Sequence, residues 1–359
     1  MTRLRHFKYI CIVLFVFFVV SLFFAPTFEG LLKLKPDLSA IDTKALEVHF
    51  VDVGQGDSIL VRFPNEQTMI IDSGITDYRE KLISYIDNVF LTSKDQGFTY
   101  GILTHSDSDH SSNMGFILDN YKFGTFYRPK QYSKNVENVS GGVNTKTYDG
   151  FIKSLYSADV QSIEYNQTGL SLDICEGCSV KWYSPDLDEY DDNNNYSPII
   201  VIEYLGRRIC LTGDARVENE AEAINNNIGD VDVLKLGHHG SLTSNSQEFL
   251  EETLPEYIVI CVGKNSYNLP NKTVMARLQE YDQTFNKTAY RDKKTTLDDG
   301  NVICFVNEDS SINFTCIKSV DDYIFVSWYY IAVGGIAICF VVVILPNKKY
   351  RAKKFKGEK

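Results

Sequence analysis

The chain has 359 residues, a formal net charge of −11 and an apolar content of 44%. That length is enough for one large domain or two small ones, and 23% charged with 13% aromatic residues excludes a disordered or collagen-like chain. Two uninterrupted apolar runs, one near each end, exclude both a polytopic channel and a freely soluble enzyme.

Residues 1–8 form a basic tail carrying Arg3, Arg5 and Lys8. The segment 9–26 that follows is uncharged and near the lower length limit of a spanning helix. A signal peptide would have a shorter core and a small-residue cleavage site, so an uncleaved anchor is the preferred reading. A second uncharged run, 323–345, is long enough to span a bilayer with some tilt. The tail 346–359 carries seven Lys and Arg. Positive residues stay cytoplasmic, so a two-pass protein of the cell membrane is expected, with both termini inside and the middle domain extracytoplasmic. The tails hold ten of the 36 basic residues and a single acid, Glu358, which leaves the rest of the chain at −20. Such a body does not collect DNA by general counterion release. The basic C-terminal tail reads as a topology signal that could also hold anionic lipid of the bilayer.

From Leu46 the pattern turns to strands. LEVHFVDV, SILVRF and TMIID are short Val- and Ile-rich runs separated by Gly-Gln-Gly and Pro-Asn-Glu turns. Leu82, Ile83, Ile86 and Phe90 share one face of a predicted helix over 79–90. A strand over 100–104 leads directly into THSDSDHSSN, and the polar stretch 130–150 reads as a long loop or lid. Strand signals resume with SVKWYSP, IIVIEYL, RRICLTGD, VDVLKLG and YIVICVG, with helices predicted near 218–225 and 245–252. No repeat or linker divides this stretch, so one layered α/β domain over 46–318 is expected. Within it, Cys175-Glu176-Gly177-Cys178 lacks a second pair and reads as a local disulfide or two packed thiols, not a zinc ribbon. His49 reads as a packed strand residue and 186–195 as a solvated acidic loop. Asn265 and Tyr267 are candidates for lining a pocket.

Four of the six histidines fall in two short clusters. His105-Ser106-Asp107-Ser108-Asp109-His110 follows one apolar strand, Gly237-His238-His239-Gly240-Ser241 follows another, and Leu211-Thr212-Gly213-Asp214 ends a third. Strand-end loops bring such groups together at one sheet edge. Imidazole combined with carboxylate suits Zn, Mn or Fe, whereas an all-oxygen set would suit Mg or Ca. The set is large enough for two divalent ions, with Asp214 as the natural bridge.

The motifs HFVDVGQGDSILV, MIIDSG, LTHSDSDHSSNMG, ICLTGDA, DVLKLGHHGS and VICVGKNSYNLP follow in this order over 46–305. The series resembles the metallo-β-lactamase-fold hydrolase domain of ComEC-type DNA-uptake proteins, and also related extracellular phosphorylcholine esterases. The resemblance implies a four-layer αββα sandwich, here flanked by two transmembrane helices, with one or two divalent ions, Zn or Mn, at one edge. It implies His105 and Asp107 as ligands of a first ion, and Asp109 and His110 as ligands of a second. Asp214 would lie between the two, and one of His238 or His239 would complete the second site. His239 is preferred as that ligand, leaving His238 as a phosphate contact or proton donor. Asp72 would orient a ligand from behind, while Asp52 and Asp57 shape the turn beneath the site.

Three departures from the pattern bear on the ion count. Asp107 stands where the superfamily usually has His, which favours a harder ion such as Mn. No histidine lies between His110 and His238, and Asn268-Leu269-Pro270 replaces a later Gly-His-Pro. The first site is therefore expected to be weak, and a one-ion enzyme is an open alternative. The resemblance implies hydrolysis of a phosphodiester by activated water, with Asp109 and His238 in catalytic roles and DNA or a cell-wall polymer as substrate. A catalytically silent binding protein of the same fold is the rival reading. No protein partner is indicated, and two spans cannot form the channel of full ComEC proteins.

Overall fold

Runs rich in Val, Ile and aromatic residues build two sheets. The computed structural model describes residues 44–317 apart from 94, 166 and 167. The segments 9–26 and 323–345, expected to span a membrane, and both basic tails lie outside the described residues. Among the described residues no helix is long and apolar enough to cross a membrane.

The first sheet is entered by β1 (Leu46–Phe50), β2 (Ile59–Arg62), β3 (Thr68–Ile71), β4 (Phe98–Ile102), β5 (Phe123–Pro129) and β6 (Gln161–Tyr165). The second comprises β7 (Ser171–Cys175), β8 (Cys178–Ser184), β9 (Ile199–Tyr204), β10 (Arg207–Leu211), β11 (Val233–Lys235), β12 (Tyr257–Ile260) and β13 (Lys294–Thr295). Two last strands, β14 (Asn301–Val306) and β15 (Ile312–Ile317), return to the first sheet, in which β14 pairs with β1. Pairing is parallel from β3 to β6 and from β10 to β13, so the chain leaves neighbouring strands at the same sheet edge. Loops at such an edge are where α/β sheets place their ligands.

Strand alternation sends each strand's residues to two faces. Leu46, Val48 and Phe50 of β1, Met69 and Ile71 of β3, Trp182 of β8 and Ile200 of β9 enter one core between the sheets. Leu60 and Ile70 face the opposite way, against Leu82, Ile86, Phe151 and Ile152 of flanking helices. Ile199 and Val201 face a third cluster with Phe249, Val274 and Leu278. Three buried interfaces make four layers, which is the expected αββα sandwich.

The stretch 130–145 is the expected loop, and the helix Lys146–Ser157 corrects only its last part, 146–150. Tyr148, Phe151, Ile152 and Leu155 form one buried stripe at helical spacing, and the Thr145 side chain caps the first turn by accepting from the Tyr148 N–H at 3.3 Å. Burying that stripe outweighs the polar composition around it; loss of the Phe151 ring would cost roughly 3–5 kcal/mol. His49 is packed as expected, between the Tyr85 hydroxyl at 2.9 Å and Glu47 at 3.0 Å. The six cysteines of the described residues are free thiols. Cys175 and Cys178 face each other across the β7–β8 hairpin, so packed thiols describe the C-x-x-C and a disulfide does not.

Candidate metal centre

Every histidine of the two clusters lies on a segment that leaves a strand at the shared edge, His110 in the short helix Ser108–Ser111 and His238 and His239 in the turn Gly237–Gly240. Asp72 follows β3, His105 to His110 follow β4, Asp214 follows β10, and His238 and His239 follow β11. His105, His110 and His239 are buried, as are Asp57, Asp72 and Asp214.

The three buried imidazoles are oriented in the same way. His110 Nδ1 lies 2.7 Å from Asp72 Oδ2, and His239 Nδ1 lies 2.7 Å from the Cys261 carbonyl oxygen. Those acceptors have no proton to give, so each Nδ1 carries the hydrogen. His105 Nδ1 meets the hydroxyls of Thr104 and Ser197, both at 3.1 Å. The Thr104 hydroxyl donates to Asp72 Oδ2 at 2.7 Å, and the Ser197 oxygen accepts from the Asp214 N–H at 3.2 Å. In all three rings Nε2 is buried and has no hydrogen-bond partner. A ring tied at Nδ1 and bare at Nε2 is the arrangement that a metal ligand requires.

Two carboxylates face these nitrogens. Asp214 Oδ2 lies 3.2 Å from His110 Nε2, 3.5 Å from His239 Nε2 and 3.6 Å from His238 Nε2. Asp109 Oδ2 lies 3.4 Å from His239 Nε2. Asp109, His110, Asp214 and His239 each offer an atom within 4.8 Å of the others, a set able to hold a divalent ion. Asp57, Asp72 and His110 form a second such group. Asp107 stands apart: its carboxylate is 40% exposed, 3.8 Å from His105 Nε2, and accepts from the Asn193 amide at 3.2 Å. The buried set is thus closed around one position and open around the other.

The charges are strongly coupled. Burial disfavours charge on His110 and His239, yet Asp214 and the other carboxylates outweigh it, raising His110 and pushing His239 up to about 10. The same contacts hold Asp214 well below the ordinary carboxylate range despite its burial. His105, by contrast, is pushed down to about 3 by burial and by the neighbouring His110. His238 is the most open of the four rings, with Nδ1 3.1 Å from the Thr243 hydroxyl. Burial lowers it.

Backbone strain collects here. Asp72, His238 and His239 have φ of +60°, +48° and +53°, left-handed values that L-residues avoid. The Gly54-Gln55-Gly56 turn supports the loop after β4 at very close range. A Cβ on Gly56 would lie 2.3 Å from the Asp109 carbonyl oxygen, and the Asp57 N–H donates to that same oxygen at 3.2 Å. Asp52 shapes the turn as expected, accepting from the Gly54 N–H at 3.1 Å. Asp57 does not stop at the turn: it is buried 2.5 Å from the Lys235 ammonium.

A family model described as the Metallo-beta-lactamase superfamily matches residues 51–264. The chain belongs to the metallo-beta-lactamase superfamily. Superfamily members are generally metal-dependent hydrolases, and the buried donor set fits that chemistry. The chain is 31% identical over 251 residues to ComE operon protein 3 of Bacillus subtilis (strain 168), covering 66% of this chain and 31% of that protein. It is 27% identical over 245 residues to Recombination protein 2 of Haemophilus influenzae, covering 68% and 28%. The chain therefore spans about a third of the length of these relatives. Among solved structures it is similar to CmlA, a diiron beta-hydroxylase from Streptomyces venezuelae, with a TM-score of 0.46 and 14% identity over 76% of this chain and 54% of that one.

The structure groups Asp109, His110, Asp214 and His239, and Asp57 and Asp72 with His110, while His238 approaches Asp214 and the more exposed Asp107 lies beside His105 at the rim. Asn265 braces its own loop, its side chain donating to the Gly263 and Leu269 carbonyls. Three contributors had gone unread. Ser197 orients His105. Asn193, inside the acidic run 186–195, holds Asp107. Lys235 sits beneath Asp214, and its only signal was a lysine within an apolar strand. The acidic run itself lines a cleft of about 870 Å³ beside the centre, whose lining residue Asn193 donates to Asp107 and whose Gln131 side-chain oxygen accepts from the Ser106 N–H at 2.9 Å.

Proposed function

We propose that this chain is a metal-dependent phosphodiesterase whose domain acts outside the membrane. The observation that carries the reading is the trio of imidazoles tied at Nδ1 and bare at Nε2 beside Asp109 and Asp214. Asp109, His110, Asp214 and His239 would hold one divalent ion, Zn or Mn, with His105 and Asp107 as the weaker candidates for a second. A divalent ion, when bound, supplies an acidified water and neutralises charge on phosphoryl oxygens. The protein residues do the remaining work. Asp109, with its carboxylate 30% exposed, orients the attacking water and takes its proton. His238 at the rim contacts the leaving oxygen, which takes up the proton that Asp109 removed from the water. The buried acceptors Asp72 and Cys261 O keep the ligating rings from turning.

The likeness to ComE operon protein 3 and Recombination protein 2 makes DNA the first substrate to test. One observation favours the second candidate, a cell-wall phosphodiester, in the form of one that carries a compensating cation, as phosphorylcholine does. The cleft beside the site carries Asp188, Glu189, Asp191, Asp192, Glu218 and Glu222 against only Lys130 and Arg216. Both cations are paired, Lys130 with Asp188 at 3.0 Å and Arg216 with Asp192 at 2.5 Å. Such a wall repels a polyanion.

The test is hydrolysis of bis(p-nitrophenyl) phosphate by the purified full-length chain, stripped of metal and then given Zn or Mn. Metal-dependent turnover that vanishes in Asp214→Asn supports the proposal, and DNA is then compared with wall polymers. Metal uptake without turnover on any of these would instead support the silent binding protein.

A further inference from the structure

Lys235 closes β11 with its side chain fully buried, and an ammonium cannot ligate a metal. Its Nζ donates to the Gly213 carbonyl at 2.8 Å, lies 2.5 Å from Asp57 Oδ2, and lies 3.9 Å from Asp214 Oδ1. The Gly213 carbonyl also accepts from the His238 N–H at 3.1 Å. Gly213 itself has a left-handed φ of +49°, and a Cβ there would press on Thr104 and Ser197 at 3.1–3.2 Å. One cation therefore grips the corner that carries Asp214, and the gripped carbonyl also receives the turn that carries both histidines.

We propose that Lys235 is a positioning residue for the metal centre, clamping the Gly213–Asp214 corner so that Asp214 Oδ2 faces the imidazoles while Oδ1 faces the ammonium. The proposal rests on the reading of Asp109, His110, Asp214 and His239 as metal ligands. The competing role is purely structural, with Lys235 serving as the counterion of Asp57. The two roles separate because deleting one member of a buried ion pair strands the other charge, whereas neutralising both is often harmless to stability. A counterion is dispensable once its partner is gone. A clamp is not.

The experiment uses the full-length chain as Lys235→Met, Asp57→Asn and the double variant. Melting temperature is measured without metal, Co(II) affinity by competition with a chelator, and ligand geometry from the visible bands of the Co(II) protein. The expected result is a destabilised Lys235→Met and a double variant whose melting temperature largely recovers. Co(II) binding in the double variant stays about 10–100-fold weaker than in wild type, as for loss of other groups that orient ligands, and its visible bands are altered. Asp57→Asn alone, which also removes a carboxylate 3.4 Å from His239 Nδ1, loses less Co(II) affinity than the double variant. The double variant and Asp57→Asn decide the matter even if Lys235→Met does not fold. Wild-type affinity and bands in the double variant would overturn the clamp, as would an equal loss in Asp57→Asn alone. Wild-type protein that takes up no Co(II) would instead overturn the metal-centre reading itself.

Discussion

Asp72 Oδ2 lies 2.7 Å from His110 Nδ1, and Nε2 of the same ring lies 3.2 Å from Asp214 Oδ2. The ring is thus strung between two carboxylates, one fixing its direction and the other sharing its free nitrogen. In Asp72→Asn the amide keeps the volume but loses the charge that orients the ring. Metal affinity should fall by about 10–100-fold, read by isothermal titration, while the fold as seen by circular dichroism is kept. An unchanged dissociation constant would refute the role given to Asp72.

Metal uptake should release protons. In the metal-free protein His110 and His239 are raised, the latter to about 10, because Asp214 and its neighbours outweigh burial. Near neutral pH both rings therefore hold an Nε2 proton that ligation must displace. Acid favours that proton, so apparent affinity rises with pH. Calorimetry in two buffers of different ionisation enthalpy should give different apparent heats at one neutral pH. Equal heats would contradict the assignment.

His49 should shape the acid limb of the stability profile. Burial lowers its pKa against the pull of Glu47. With the folded value below the unfolded one of about 6.5, its contribution is complete above the unfolded value. It is lost as pH falls through the folded one. His49→Phe, which removes the titration but keeps a ring against Phe90, should give melting temperatures that fall less steeply on acidification. Parallel acid limbs in the two proteins would count against this.

Gly56→Ala should damage the centre without touching a ligand. The added methyl would lie 2.3 Å from the Asp109 carbonyl oxygen, at a φ of +149°. The loop after β4 must move, at a cost above about 1 kcal/mol. A lowered melting temperature together with reduced metal content is the expected pair of readings; normal metal content would show that the loop tolerates the shift.

The site was legible in the sequence to the extent that its chemistry is local. His105 to His110 and His238–His239 are compact polar clusters placed directly after apolar strands, and periodicity alone puts them at strand ends. Lys235 was not legible, because one lysine in VDVLKLG looks like an ordinary solvent-facing strand residue. Only the second sheet, buried on both faces, shows that its amine points inward. Asn193 reaches Asp107 across 86 residues, a contact that no local pattern encodes. The helix Lys272–Phe285 escaped for a different reason: it buries only Val274, Leu278 and Tyr281, so its apolar stripe is thin.

Asp109 and His110 come from the first sheet, whereas Asp214 and His239 come from the second. An ion held by all four would act as a rivet through the sandwich, closing a covalent-like loop of about a hundred residues in a domain whose described cysteines form no disulfide. Its loss would then be felt as a shorter lifetime of the whole folded domain, with both sheets opening together under protease or denaturant. The group that makes the chemistry possible would also set how long the domain survives in an environment it cannot choose.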